Sequence, residues 1–259
     1  MTKNLSFIDP AAKLAPGVVV DPFTVIHKDV EIGEGSWIGS NVTIFPGARI
    51  GKNTRIFPGA VISAVPQDLK FDGEETHVYI GDNTTIRECV TINRGTKDKY
   101  KTQVGNNCLL MAYSHLAHDC IVGNQVIIAN GVQMAGHVEV QDNARIGGLS
   151  AIHQFVKVGR HVMIEGGSMI SKDVPPFVKA GRYPLSYEGV NSVGLRRSGF
   201  SNEKINEIQN IYRLLFVHNR NLAKALEKVE AEMEASPERD EILSFIQESE
   251  RGVMKGYSR

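Results

Sequence analysis

The chain has no excess of charge of either sign: 29 Lys and Arg are balanced by 29 Asp and Glu among 259 residues, with no Lys/Arg-rich run. A nucleic-acid groove needs a concentrated basic patch, so none is expected. There is no apolar stretch of about 18 residues and no basic segment leading into an apolar one. Neither a transmembrane segment nor a secretory signal is therefore expected, and the protein is read as cytoplasmic. Cysteine is scarce as well. Cys89, Cys108 and Cys120 are odd in number and lack paired metal-type spacing, which favours reduced structural thiols over a disulfide framework. With 42% hydrophobic and 22% charged residues, the chain can form one long domain and a small one.

What the chain does have is a register of six. From Ile8 to Ile170 every sixth residue is aliphatic or Met except Asp68, Glu74 and Asp98, and the phase is the same before and after these breaks. A helix repeats every 3.6 residues and an ordinary strand every two, so neither produces this pattern. Gly, Asn and Asp follow many register residues, as in Ile50-Gly51-Lys52-Asn53, and tolerate the positive φ of a tight corner. Each hexad reads as a short strand plus a corner, with the register residue pointing inward. Three hexads close a triangular coil of about 18 residues, and stacked coils pair their strands at roughly 4.8 Å. A buried Ile, Leu or Val contributes roughly 1.5–3 kcal/mol, so a single coil is marginal and a stack is stable. The breaks are expected to be loops at 63–79 and 93–103.

The register ends near Val174-Pro175-Pro176. Residues 1–176 are read as the coiled domain and 177–200 as a link. Residues 201–259 are read as a small α-helical domain: Ser201 caps a helix over 202–217, a second helix spans 222–235, and a third follows Pro237. This tail is expected to cover the open end of the stack and its strand edges.

Several strings carry a more specific resemblance. They include Gln67-Asp68-Leu69-Lys70-Phe71, Asn93-Arg94-Gly95-Thr96, His115-Leu116-Ala117-His118-Asp119-Cys120, Ala135-Gly136-His137-Val138, Ile152-His153-Gln154-Phe155, Asp173-Val174-Pro175-Pro176-Phe177 and Gly194-Leu195-Arg196-Arg197-Ser198-Gly199-Phe200. The hexads look like those of the left-handed parallel β-helix acyltransferases. The ordered strings resemble, over nearly the full chain, the UDP-N-acetylglucosamine 3-O-acyltransferases of lipid A biosynthesis. The left hand is implied by that resemblance alone and runs against the usual right-handed crossover.

The resemblance implies transfer of a 3-hydroxyacyl chain from acyl carrier protein to the 3-hydroxyl of UDP-N-acetylglucosamine, with the carrier's thioester as donor and no cofactor or metal. His118 matches the family's general base, a role suited to an imidazole with an ordinary pKa near 6.5. Asp119 matches the acid that orients it, and Gly136 the backbone oxyanion donor. Spacing adds a check, because Gly136 follows His118 by three whole hexads and should stack one coil above it. By resemblance, His115, His137, His153 and Gln154 contact the sugar nucleotide or shape the site. Asp68 and Lys70, ordinarily just a solvated pair, bind the glucosamine and phosphate portion. Asn191 and Arg197 hold the sugar nucleotide or the donor. Gly166 matches the position limiting acyl-chain length, and without a side chain there a long chain is expected. The family forms homotrimers with the sites between subunits.

The chain departs from the family pattern at Asn93, where His is common, at Ser198, where a second basic residue is common, and at Pro184, in place of a His connected with acyl contact. None touches the expected base or oxyanion donor. Alternative readings are the later N-acyltransferase of the same pathway, which typically carries an extra N-terminal domain for which a register starting at Ile8 leaves no room, and an acetyl-CoA-dependent sugar acetyltransferase. A zinc carbonic anhydrase on the same coil would need His115, His118 and His137 to converge.

Overall fold

Outside the two insertions each hexad ends in a strand of only two to four residues that contains the register aliphatic, from Phe7–Ile8 to Met169–Ile170, and the register aliphatic is the last residue except in Val61–Ala64 and Thr91–Asn93. The computed structural model describes residues 5–218 and 221–256. Strands three apart in sequence pair in parallel, giving three sheets of nine, eight and ten strands that wrap a prism. The coil is a left-handed parallel β-helix. The first, second and third sheets start at Phe7–Ile8, Lys13–Leu14 and Val19–Val20.

Pairing confirms the register and explains why it keeps phase. Ile8 pairs with Ile26 and Leu116 with Met134, each partner three hexads further on. Ile62 pairs with Ile92 across the first break, five hexads on, and Ile92 with Leu116 across the second, four hexads on. The first insertion thus adds two hexads and the second adds one, and whole hexads leave the inward phase intact. Strands Val61–Ala64 and His77–Ile80 extend into the first break, and Thr91–Asn93 and Lys101–Val104 into the second, so the loops are shorter than expected, at 65–76 and 94–100. Both leave the corner joining the first sheet to the second.

The register residues from Ile26 to Ile170 are buried. A second inward column, two residues earlier in each hexad, consists of small residues such as Thr24, Val30, Ser36, Cys108, Cys120 and Val138. Sequence reading did not single it out. The hydroxyls of Thr24 and Ser36 donate to the carbonyls of Gly39 and Gly51, and the thiols of Cys108 and Cys120 donate in the same way to Gly123 and Ala135. These thiols therefore fill a packing role, and burial pushes the Cys120 thiol up to about 12. Asn and Asp occupy positive-φ corners as expected, but so do bulky residues, among them Tyr113, His137, Leu149 and Phe155.

The segment 177–200 carries more structure than a link. Val178–Gly181 joins the third sheet and forms an antiparallel hairpin with Ser186–Val190, and helix α1 (Ser192–Arg197) follows, capped by Asn191. Helix α2 (Asn202–Arg213) begins at the expected Ser201 cap but passes into a π-helical turn at Leu214–His218 instead of running on as α-helix. Helix α3 (Leu222–Glu232) ends short of the expected boundary at 235, and α4 is Pro237–Gln247. The helices dock on the last coils. The Tyr212 hydroxyl donates to the Pro176 carbonyl at 2.6 Å, and Arg160 Nη2 contacts Glu241 Oε2 at 2.6 Å. No helix among the described residues is long and apolar enough to cross a membrane.

Candidate active site

The chain turns from the first sheet into the second between Leu116 and Ile121, and this corner presents His118 and Asp119. Asp119 has φ 59°, which places its side chain under the corner, fully buried. His118 Nδ1 lies 2.8 Å from Asp119 Oδ2. The insertion loop supplies the carboxylate's other partners: the Thr96 hydroxyl at 2.6 Å, the Thr96 N–H at 3.0 Å and the Lys99 N–H at 3.2 Å. Burial alone would raise the Asp119 pKa, but the hydrogen bonds from His118, Thr96 and Lys99 outweigh it and hold the group at about 2. A permanent carboxylate facing Nδ1 fixes the proton there and leaves Nε2 as the basic nitrogen.

One coil above, Gly136 meets the His118 ring as the three-hexad spacing requires. A Cβ on Gly136 would lie 2.6 Å from His118 Cε1 and 2.7 Å from Nε2, so only glycine leaves the imidazole its place. The Gly136 N–H has no acceptor among the described residues. A free backbone N–H beside the basic nitrogen can donate to a developing oxyanion.

His137 stacks on Phe155 with centroids 4.4 Å apart and stands edge-on to His118 at 5.0 Å. Its Nδ1 lies 3.0 Å from Asp98 Oδ2. Gln154 continues the corner column of His118 and Gly136, and exposed His153 has Nδ1 3.2 Å from the Gln154 carbonyl oxygen. His115 sits on the outer face of the first sheet with Nδ1 2.7 Å from the Thr91 hydroxyl, and burial lowers its pKa. His118, Asp119 and His137 form the one group with metal-ligand reach among the described residues. His115 does not join it and the Asp119 oxygens are already engaged, so three histidines do not converge as the zinc reading requires.

Asp68 and Lys70 lie in the first loop, where the Lys70 N–H donates to Asp68 Oδ1 at 3.0 Å. That loop touches the second through Phe71 against Arg94, at 5.4 Å, and through the Lys97 N–H donating to Glu74 at 3.0 Å. Among the described residues no hydrogen bond or ion pair joins Asp68 or Lys70 to the His118 cluster. Asn191 and Arg197 line a cavity of about 700 Å³ at the next corner, with Gln125, Asn143, Arg145 and His161. The Asn191 amide caps α1 and donates to the His161 carbonyl, a structural duty that sequence reading did not foresee. Gly166 lies at the third corner, stacked against Gly148 and exposed. Of the residues now seen at the site, Thr96 and Phe155 stood in recognised strings without a role, although Phe155 follows His137 by three whole hexads and stacks on it; Asp98 appeared only as a break in register, and Lys99 carried no period signal.

A stack of hexad coils bearing a His–Asp pair against an unengaged glycine N–H defines a hexapeptide-repeat acyltransferase. The hexapeptide transferase model matches residues 11–46, 29–64 and 101–136, and that of the second domain of UDP-N-acetylglucosamine O-acyltransferase matches 173–254. The acyl-[acyl-carrier-protein]–UDP-N-acetylglucosamine O-acyltransferase of Thiobacillus denitrificans is 41% identical over 96% of this chain and 97% of its own length. A counterpart in Alkalilimnicola ehrlichii is 43% identical over 96% of both. Among solved structures, the UDP-N-acetylglucosamine acyltransferase of Bacteroides fragilis 9343 superposes with a TM-score of 0.96 at 51% identity, covering 98% of this chain and 100% of that one. The chain belongs to the acyl-[acyl-carrier-protein]–UDP-N-acetylglucosamine O-acyltransferase family.

Proposed function

We propose that the protein transfers a long 3-hydroxyacyl chain from acyl carrier protein to the 3-hydroxyl of UDP-N-acetylglucosamine, the first step of lipid A biosynthesis. His118 Nε2 takes the hydroxyl proton as the oxygen attacks the thioester carbonyl. The negative charge that develops on the carbonyl oxygen is met by the Gly136 N–H. Collapse expels the carrier's thiolate, which takes back the proton from the imidazolium. Asp119 stabilises that imidazolium without itself being protonated. The observation that supports this reading is the stacking of Gly136, whose N–H is unengaged among the described residues, against the His118 ring. No step draws on a metal or cofactor.

We further propose a homotrimer with the site between subunits, working in the cytoplasm, where the three free thiols would stay reduced. Two observations support the assembly. His118, the Asn191–Arg197 cavity and Gly166 occupy three different corners of one prism, so one sugar nucleotide and one acyl chain reach all of them only if neighbouring copies contribute. The outward positions of the first sheet, from Phe7 through Val25 and Val61 to Met169, carry no Lys, Arg, Asp or Glu, whereas the second sheet presents Lys13, Glu31, Arg49, Glu139 and Lys157. Such an uncharged face suits contact with a copy.

The test is incubation with UDP-N-acetylglucosamine and a series of 3-hydroxyacyl carrier proteins. Wild type should transfer the acyl group, and His118→Ala should lose roughly 10²–10⁴-fold in rate with its circular dichroism unchanged. Failure of wild type with every chain length would overturn the reading.

A further inference from the structure

We propose that Asp98 is a positioning residue of this active site: it fixes the His137 ring beside the reacting corner, so that the insertion 94–100 sets the geometry of both histidines. The inference rests on the transfer reaction above and extends it to a residue outside the His118–Asp119–Gly136 core.

Asp98 interrupts the inward register, and it does so where its side chain can turn toward the next coils. Its Oδ2 lies 3.0 Å from His137 Nδ1. That nitrogen is buried and has no aligned hydrogen-bond partner, which leaves a polar atom unsatisfied unless the carboxylate turns to meet it. Such contacts commonly align only when substrate is bound. The remaining surfaces of the ring are already defined. One face stacks on Phe155 at an interplanar angle of 15°, the ring stands at 89° to His118, and Nε2 lies 3.9 Å from Asp119 Oδ2. Asp98 is thus the remaining group that sets which way Nδ1 points.

The loop can hold Asp98 there. Thr96 and Lys99, on either side of it, both donate to Asp119. The Tyr100 N–H closes a turn on the Thr96 carbonyl at 2.8 Å, and Lys99 Nζ reaches Glu139 at 2.8 Å. Gly95 permits this fold because a Cβ there would stand 2.2 Å from the Lys101 nitrogen. The Asp98 side chain is 59% exposed, so the pair is screened and adds little to stability. Its effect should therefore appear in substrate handling and leave unfolding nearly unchanged.

The experiment compares Asp98→Ala, Asp98→Glu, His137→Ala and the Asp98→Ala/His137→Ala double variant. For each, kcat, KM for UDP-N-acetylglucosamine and Tm are measured. Asp98→Ala should raise KM about 5–10-fold with kcat within about twofold and Tm within about 2 °C. Asp98→Glu should recover most of that loss. The double variant should be no worse than His137→Ala alone, because residues acting through one another are not additive. A wild-type KM in Asp98→Ala, or additive losses in the double variant, would overturn the proposal, as would a fall in Tm that accounts for the lost activity. Each of these leaves the wild-type reaction standing, whereas an inactive wild type would fail the transfer reading itself.

Discussion

At the scale of single residues, the site is defined by what Gly136 lacks and what Asp119 is given. Adding one methyl at Gly136 would place an atom 2.6 Å from the His118 ring. Gly136→Ala should therefore push the imidazole off its position and lower the transfer rate about 100-fold or more. The coil should survive, because φ at this glycine is not in the left-handed region; steady-state kinetics alongside circular dichroism checks both. Asp119 also gives the protein an acid limit. Its pKa in the folded protein, about 2, lies below the ordinary 3.8, so its contribution is fully present above about pH 4. It is lost as the pH falls through about 2, a change on the order of 2 kcal/mol. Denaturant unfolding between pH 6 and pH 2 should show wild type more stable than Asp119→Asn at the upper end, with the two curves converging at the lower. His118 and Gly136 were legible in the sequence because strings identified them and the three-hexad spacing stacked them. The other partners of Asp119, Thr96 and Lys99, were not, since they come from a loop that the period does not reach.

At the scale of elements, a one-hexad insertion turns an ordinary corner into a catalytic one. Without it the Asp119 carboxylate would lie buried with His118 as its one close partner, an arrangement that costs several kcal/mol unless further donors are present. Thr96 supplies two of those donors. Thr96→Val removes the 2.6 Å hydroxyl bond and keeps the N–H. It should cost about 1.5–3 kcal/mol of stability and lower kcat about tenfold, as measured by thermal unfolding and initial rates. The helical tail shows the opposite balance. Its Ser201 cap was read from the sequence, and Asn221 and Ser236, which were not singled out there, cap α3 and α4 by the same local rule. The hairpin of 178–190 was missed because its first strand is docked on Met163–Ile164 of the third sheet, a contact that no local pattern announces.

At the scale of the whole molecule, the three corners pose the problem that assembly would solve. If His118 serves from one copy and Arg197 from its neighbour, two damaged chains can repair each other. Subunit exchange between equal amounts of His118→Ala and Arg197→Ala, each inactive alone, should restore activity at about a quarter of the sites in a cyclic trimer. Light scattering on the same mixture should give three times the 28.5 kDa chain mass. A fully active monomer, or no restoration on exchange, would place the whole site within one chain.

The sequence by itself determined the coil, because a period of six that survives insertions of whole hexads leaves a single inward phase. It therefore set the core, the stacking of every third hexad and the seat of Gly136 over His118. Only the tertiary structure decided that both insertions leave one corner, that N–H and hydroxyl groups of the second converge on Asp119, and that Asn191, Arg197 and Gly166 stand at other corners. Periodicity fixes contacts between neighbouring coils, whereas a loop folding back on a corner is held by contacts that no repeat encodes.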